Sequence, residues 1–403
     1  MHIVYISREY PPTLRGGGIA TYVQNVAVAL VAAGHRVTVI CAADDTSSAS
    51  DEQEGNLRII RLPGGDFVIP SVEKPYPWRK LRGLTRFHSY RRRIRETLQS
   101  IGDADIAEVA EFGAESLALE GVGLPIIIRL HTPTLLDRAT CGLRRPGVWQ
   151  LHEWFCGKME KKLIQQSLAL SSCSRSLAAW VQKHFKIQSG RITTIPNPIN
   201  TIEWQSDIPE PRLPLSVLFV GTITREKGVA TLVEACRILR QNGYPVVLTL
   251  AGKMGSYGHK LARYFQNESD WCSFAGNVPR NELPALYASH EVVCLPSLWD
   301  NMPMTCLEAM ASGAIVVGSN SGGMAEIICH GINGFLCTPG DAQLWARAIA
   351  LVLKMSPHEK NRIRSAARHC VTTHFSTHAI TRKLLSLYEK TISLYHASHR
   401  TLG

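Results

Sequence analysis

The sequence predicts an α/β protein of two doubly wound domains, each a parallel sheet wrapped by helices. Three observations carry that prediction. Short apolar runs alternate with amphipathic helical stretches throughout, the pattern of parallel sheets with helical crossovers. A proline cluster, Pro196, Pro198, Pro209, Pro211 and Pro214, interrupts the alternation and reads as an interdomain connection. A chain of 403 residues is too long for one ordinary core and comfortable for two.

In chain order, the first domain (1–200) has apolar strand runs at 2–6, 36–41, 105–110, 125–130, 167–172 and 191–195. Helical periodicity covers 19–33, 81–100, 149–165 and 174–185. Residues 201–214 form the linker, and 215–375 the second domain, with strands at 216–221, 246–252, 291–296 and 314–318. The end, roughly 357–395, is helical with no strand after it. Two such domains face each other across a cleft at the carboxyl ends of their strands, where open sheets bind ligands.

Composition narrows the class. Apolar residues make up 45% and charged residues 19%, as in a soluble globular protein, and no apolar run reaches the length of a membrane span. Met1-His-Ile-Val-Tyr-Ile-Ser7 lacks the basic start and cleavage site of a signal peptide and reads as a first buried strand. The 11 cysteines lie singly, without metal-ligand spacing, as buried thiols in a reducing compartment would. A cytoplasmic location is therefore expected. Net charge is +11, and residues 78–95 hold eight basic side chains interleaved with Trp78, Phe87 and Tyr90. That segment is either a solvated helix face or a surface for an anionic membrane or acceptor, at the inner face of the membrane. No nucleic-acid motif accompanies it, so nucleic acid is not an expected partner.

The most informative stretch is Ser297-Leu-Trp-Asp300-Asn-Met-Pro-Met-Thr-Cys-Leu-Glu308-Ala-Met-Ala-Ser-Gly313. Pro303 suits a first helical turn, and Gly313 sits where a helix stops. A helix start offers free N–H groups and a positive dipole end to a phosphate. Asp300 and Glu308 would repel that phosphate unless they face hydroxyl groups. A ligand with both parts is a nucleotide sugar.

Other motifs are weaker singly. Gly16-Gly17-Gly18 opens the first helix and either cradles phosphate or is a flexible loop; it is not the dinucleotide fingerprint, which needs a third glycine further on. Val220-Gly-Thr222-Ile-Thr-Arg225-Glu-Lys227-Gly228 again links strand to helix, and Lys227 is a compact charge for a phosphate or an ordinary exposed lysine. His131-Thr-Pro133 closes a strand, where the imidazole bonds a sugar hydroxyl, handles a proton, or simply pairs with backbone. Glu108 and Glu111 flank another strand end and either bond an acceptor or form loop salt bridges. Asp103-Ala-Asp105 has the Asp-x-Asp pattern of metal-dependent sugar transfer, but it precedes its strand and reads as a helix-to-strand connection. No metal site is expected.

Taken together these residues resemble the retaining glycosyltransferases of family 4, which have the GT-B fold of two Rossmann-like domains. The resemblance covers essentially the whole chain: Tyr10-Pro-Pro, Gly17-Gly18-Ile-Ala-Thr-Tyr22, Gly34-His-Arg-Val37, Asn197 before the linker, Phe219-Val-Gly, Lys227-Gly228, 297–313, and Gly322-Gly323-Met-Ala-Glu326. It implies that the first domain binds the acceptor and the second a nucleoside-diphosphate sugar, used as co-substrate without a cofactor or metal. Gly17, Gly18 and Lys227 would meet the diphosphate, Glu308 the ribose hydroxyls, and Asp300 with the backbone of Met302 and Met304 the donor sugar. His131 would lie near the reacting sugar. The last helix, from about 376 to 403, would pack back on the first domain. Two departures stand out: the family commonly has arginine at the position of Thr222, which leaves Arg225 as the substitute, and glutamate at the position of Asp300. These motivate two rivals to a hexosyltransferase of cell-envelope polysaccharide or glycolipid synthesis. One is a nucleotide-sugar-binding protein with little turnover, the other a phosphorylase or epimerase of the same fold. The glycine pattern argues against a nicotinamide oxidoreductase. Acceptor choice is expected to reside in loops 64–78 and 134–149.

Overall fold

The computed structural model describes residues 1–13, 17–44, 49–63, 78–140, 151–205, 213–266 and 270–400, with the side chains of 78–88, 138, 151–153, 399 and 400 set aside. Gly16, loop 64–77, positions 141–150 and linker positions 206–212 lie outside the described residues.

The first part of the chain runs β1 (His2–Ile6), α1 (Gly18–Ala32), β2 (Arg36–Ala42), β3 (Ser50–Glu54), β4 (Leu57–Leu62) and α2 (Trp78–Ile101). Next come β5 (Ile106–Ala110), a 3-10 segment (Phe112–Leu119), β6 (Ile126–Leu130), α3 (Thr134–Thr140), α4 (Leu151–Gln166), β7 (Ala169–Ser172), α5 (Arg175–Phe185) and β8 (Ile192–Thr194). The second part runs β9 (Leu213–Val220), α6 (Val229–Gln241), β10 (Val247–Ala251), α7 (Ser256–Tyr264), β11 (Cys272–Gly276), α8 (Leu283–Ser289), β12 (His290–Leu295) and α9 (Met304–Ala311). It closes with β13 (Ile315–Ser319), α10 (Met324–Ile327), β14 (Phe335–Cys337), α11 (Ala342–Lys354), α12 (Pro357–His374) and α13 (Thr377–Arg400). Two compact units result: Met1–Pro198 with Thr377–Gly403, and Ile199–Ser376.

The first unit's sheet has the order β3-β4-β2-β1-β5-β6-β7-β8, parallel except where β3 runs against β4. β1 and β5 are buried at every position, as strands covered on both faces must be. The β3–β4 hairpin is absent from the sequence prediction. Its outer strand, Ser-Asp-Glu-Gln-Glu, is almost wholly exposed, so it lacks the alternation that marks a half-buried strand. Asp51 holds it by accepting from both Nε (2.9 Å) and Nη2 (2.7 Å) of Arg58. The core is built from Ile3, Tyr5, Val37, Val39, Ile106 and Ile127 of the strands, Tyr22, Val26 and Leu30 of α1, and Leu384 and Tyr388 of α13.

The second unit's sheet is parallel in the order β11-β10-β9-β12-β13-β14. Its core joins Val217, Phe219, Leu248, Leu250, Val292 and Val317 to Leu232 and Cys236 of α6 and Trp345 and Ile349 of α11. Trp345 is fully buried, and its indole N–H donates to the Thr338 carbonyl at 3.0 Å. In both sheets the strand order reverses beside the first strand: β1 lies between β2 and β5, β9 between β10 and β12. Crevices open at the carboxyl ends of strands at such reversals.

Two boundaries differ from the sequence reading. Residues 201–204 of the expected linker form a turn of the second unit, because Asn200 Nδ2 donates to Glu203 (2.7 Å) and Trp204, 1% exposed, packs near Tyr287. The terminal helical stretch is two helices. The Ile199 N–H donates to the Phe375 carbonyl (2.8 Å) and interrupts it at 375–376.

Candidate functional site

The second unit's crevice is built by backbone contact. After β9 the chain passes through Thr222 and Arg225, both exposed, to Gly228 at φ +67°. A side chain on Gly228 would sit 2.0 Å from the Pro296 carbonyl oxygen, so this loop lies directly on the end of β12. The Leu298 N–H then donates to the Glu226 carbonyl at 2.8 Å. These contacts bring Lys227 Nζ to 2.5 Å from Asp300 Oδ2. Asp300 raises the Lys227 pKa and holds the ammonium charged. With side chains 35% and 18% exposed, the pair adds at most about 1 kcal/mol to stability; its consequence is positional.

A third loop fixes Asp300 from the other side. The Gly323 N–H donates to the Asp300 carbonyl at 2.8 Å. A Cβ on Gly322 would meet that carbonyl oxygen at 2.1 Å, and one on Gly323 would meet the Asn301 oxygen at 2.0 Å. The Trp299 indole donates to Asn301 Oδ1 at 2.7 Å. Pro303 stands at the cap position of α9, whose first N–H groups have no helical acceptor. The side chains of Met302 and Met304 are buried, which leaves their backbone as the part a ligand can meet.

Glu308 sits in α9, 6% exposed. Burial pushes its carboxyl up to about 7, opposed first by Arg280 and then by the hydrogen bond from Tyr287. Arg280 Nη1 lies 3.5 Å from Glu308 Oε1, and Tyr287 Oη donates to Oε2 at 3.3 Å. Sequence reasoning missed Arg280 and Tyr287. Arg280 stands in a polar stretch 28 residues before Glu308 and carries no local pattern that separates it from an ordinary surface arginine.

In the first unit, Gly17 is the side-chain-free cap of α1, and Gly17 and Gly18 are both exposed. His131 follows β6 and is 6% exposed, with its ring edge-to-face against Tyr22 at 5.1 Å. Burial and the Arg129 charge push its pKa well down, so the imidazole is neutral at pH 7. Two expectations need correction. Glu108 is buried within β5, where its carboxylate accepts from Tyr22 (2.6 Å) and Tyr388 (2.8 Å); it bonds the core instead of presenting itself to an acceptor. Glu111 is fully buried and accepts from the N–H groups of His131 (2.9 Å) and Thr132 (2.6 Å), so it shapes the turn after β6. Asp103 and Asp105 lie at the amino end of β1, where Asp103 meets His2 Nδ1 (2.8 Å) and Asp105 accepts from the His2 N–H (2.6 Å). Among the described residues no group of three or more His, Cys, Asp or Glu could hold a metal ion, and no helix is long and apolar enough to cross a membrane.

In the basic segment, Arg91 donates to the Gly113 carbonyl, and Arg95 to the carbonyls of Ala118 and Glu120, both at 2.8 Å. Arg92 and Arg93 remain exposed.

Comparison with known proteins follows this geometry. The family model described as Glycosyltransferase Family 4 matches residues 16–203, and that described as Glycosyl transferases group 1 matches 200–369. Glycogen synthase of Mycobacterium tuberculosis is 26% identical over 412 residues, spanning 96% of this chain and 94% of that protein. Sucrose-phosphate synthase from Thermosynechococcus elongatus superposes with a TM-score of 0.80 at 21% identity, over 98% of this chain and 99% of the other. Anabaena HepE, solved in complex with UDP-glucose, gives 0.70 at 16% identity over 98% and 99%. Both solved structures share the fold of two parallel-sheet α/β domains, GT-B.

Proposed function

The chain belongs to the family 4 glycosyltransferases, and from that premise we propose that it moves a hexose from a nucleoside-diphosphate sugar to an acceptor hydroxyl, retaining the anomeric configuration. The observation that carries the reading is the Lys227–Asp300 contact at the sheet's reversal point, in the same loop that opens α9, with Glu308 further along that helix. One cation, a helix start and two carboxylates suit a ligand with a diphosphate at one end of a hydroxylated sugar and a ribose at the other.

Breaking the anomeric bond leaves positive charge on the sugar ring and new negative charge on the diphosphate. Lys227, the first N–H groups of α9 and Arg225 from the neighbouring loop stabilise that leaving group, with neither metal nor cofactor taking part. Asp300 keeps Lys227 charged and aimed before the donor arrives, then turns to the sugar hydroxyls. The acceptor oxygen attacks the same face of the ring, and the departing phosphate takes its proton. Thr222 leaves this site one cation short of the family pattern, which places more of the work on Lys227. Roles for Gly17, Gly18 and His131 rest on the resemblance of their motifs. The likeness to a glycogen synthase supports a glycan acceptor. The exposed Arg92 and Arg93 support contact with an anionic membrane on its cytoplasmic side, hence a polysaccharide or lipid-linked glycan of the cell envelope.

Titration with UDP, GDP and ADP sugars, followed by product analysis over an acceptor panel, tests this. Glu308→Ala should weaken donor binding by about tenfold or more, the value of a hydrogen bond to a charged group. Lys227→Ala should lower kcat by about 100-fold with a smaller change in affinity. Unchanged kinetics in both variants would remove the assignment. Tight donor binding with neither transfer nor hydrolysis would make the protein a binder. Sugar isomerised without acceptor, or turnover that needs free phosphate, would make it an epimerase or a phosphorylase.

A further inference from the structure

We propose that Arg280 is a positioning residue for Glu308: seated on Trp204 and steadied by Glu203, its guanidinium keeps the Glu308 carboxylate ionised and open to the two hydroxyl groups of a nucleotide ribose. The inference rests on the reading of Glu308 as the ribose acceptor and extends it to the group that makes it work.

The geometry is a pincer. Arg280 Nη1 is 3.5 Å from Glu308 Oε1 and Nη2 is 3.7 Å from Glu203 Oε2, so one cation lies between two carboxylates. Its guanidinium carbon lies 4.9 Å from the centre of the Trp204 ring, and Trp204 is 1% exposed, a rigid floor. Asn200 Nδ2 donates to Glu203 Oε1 at 2.7 Å and fixes that jaw. Glu308 is inside the protein, while Arg280 is 45% exposed and keeps its own charge in contact with water.

The contacts to Glu308 are long. Charge-assisted bonds run at about 2.7–2.9 Å, whereas Arg280 and Tyr287 stand 3.5 and 3.3 Å from its two oxygens. Both oxygens therefore retain lone pairs for further donors. Two ribose hydroxyls can both donate only to the ionised form, since a protonated carboxyl turns one oxygen into a donor. An isolated buried carboxyl would be protonated near neutral pH. The neighbouring elements bring little other charge. Tyr287 is the titratable group of α8 and Glu326 that of α10, and β13 has none. From α12, Arg368 reaches the Ser312 carbonyl at the far end of α9, and the Cys370 thiol is pushed up and neutral. Arg280 is the cation that reaches Glu308, and without it the carboxyl would hold its proton to higher pH.

The test measures affinity for the nucleoside diphosphate (UDP, GDP or ADP) that binds the full-length protein, from pH 6 to 9, alongside its 2′,3′-dideoxy analogue. For Arg280→Gln, binding at pH 7 should fall about tenfold, one pKa unit's worth, and recover toward wild type by pH 9. Arg280→Lys, which keeps the charge but not the planar fork, should restore much of the neutral-pH affinity. The dideoxy analogue should respond to neither substitution nor pH. A uniform loss at every pH, or an Arg280→Gln profile parallel to wild type, would show that Arg280 is merely structural and overturn the proposal. If Glu308→Gln binds the ribonucleotide as tightly as wild type across the range, the ribose reading itself falls and takes this inference with it.

Discussion

Glu111 shows how burial alters a side chain's chemistry. It accepts from two backbone N–H groups and faces a second buried carboxylate, Glu160. Burial first, and Glu160 second, push its carboxyl up to about 8 from an ordinary 4.5. The folded state therefore binds this proton more tightly than the unfolded chain does. The stability Glu111 contributes is fully present below about pH 4.5 and lost as pH rises through about 8. Glu308, pushed up to about 7, acts in the same direction. Urea unfolding between pH 5 and 9 should show wild type losing stability with rising pH and Glu111→Gln, which copies the neutral form, losing less. Equal slopes would refute the assignment. Part of this was legible: Glu108 and Glu111 fall in and just after Ile-Ala-Glu-Val-Ala, a strand with no solvent face, where a glutamate has to find partners inside. Which partners they find, Tyr22, Tyr388 and the turn at His131, depends on segments distant in sequence.

Among the elements, α13 ends the chain and completes the first unit's core through Leu384 and Tyr388. Tyr388 Oη donates to Glu108 Oε2 at 2.8 Å and lies 2.6 Å from Tyr5 Oη, so one hydroxyl ties α13 to both β5 and β1. Tyr388→Phe keeps the ring and deletes the hydroxyl, leaving a buried carboxylate oxygen short of a donor. That should cost about 1–3 kcal/mol, seen as a lower urea midpoint at constant m-value; a midpoint within error of wild type would show that Glu108 is satisfied otherwise. The apolar runs that became β1, β2, β5, β6, β9, β10, β12 and β13 were readable because parallel strands are apolar on both faces. The hairpin β3–β4 and the short strands β11 and β14 were not, since an exposed or three-residue strand buries too little to leave a pattern. The start of α9 was announced by Pro303 and its end by Gly313. The approach of Lys227 to Asp300 depends on three loops meeting, which no local window records.

Over the whole molecule, a net charge of +11 concentrates in α2, yet its arginines divide by task. Arg91 and Arg95 hold carbonyls in and beside the 3-10 segment, whereas Arg92 and Arg93 face solvent. Changing Arg92 and Arg93 together to Glu should therefore reduce sedimentation with vesicles rich in phosphatidylglycerol, most clearly at low salt, without moving the melting temperature. Unchanged sedimentation would make the segment an ordinary solvated face. The glycine pair at 322–323 has a further consequence for anyone who would redesign this molecule. Its two hydrogen atoms occupy the space in which main chain rests on main chain, so a randomised library there would return mostly broken variants and say nothing about sugar preference. Thr222 and Leu298 point outward on the flanking loops and can be varied without displacing the floor. New selectivity in this scaffold has to be sought around that pair, since the pair itself is closed to change.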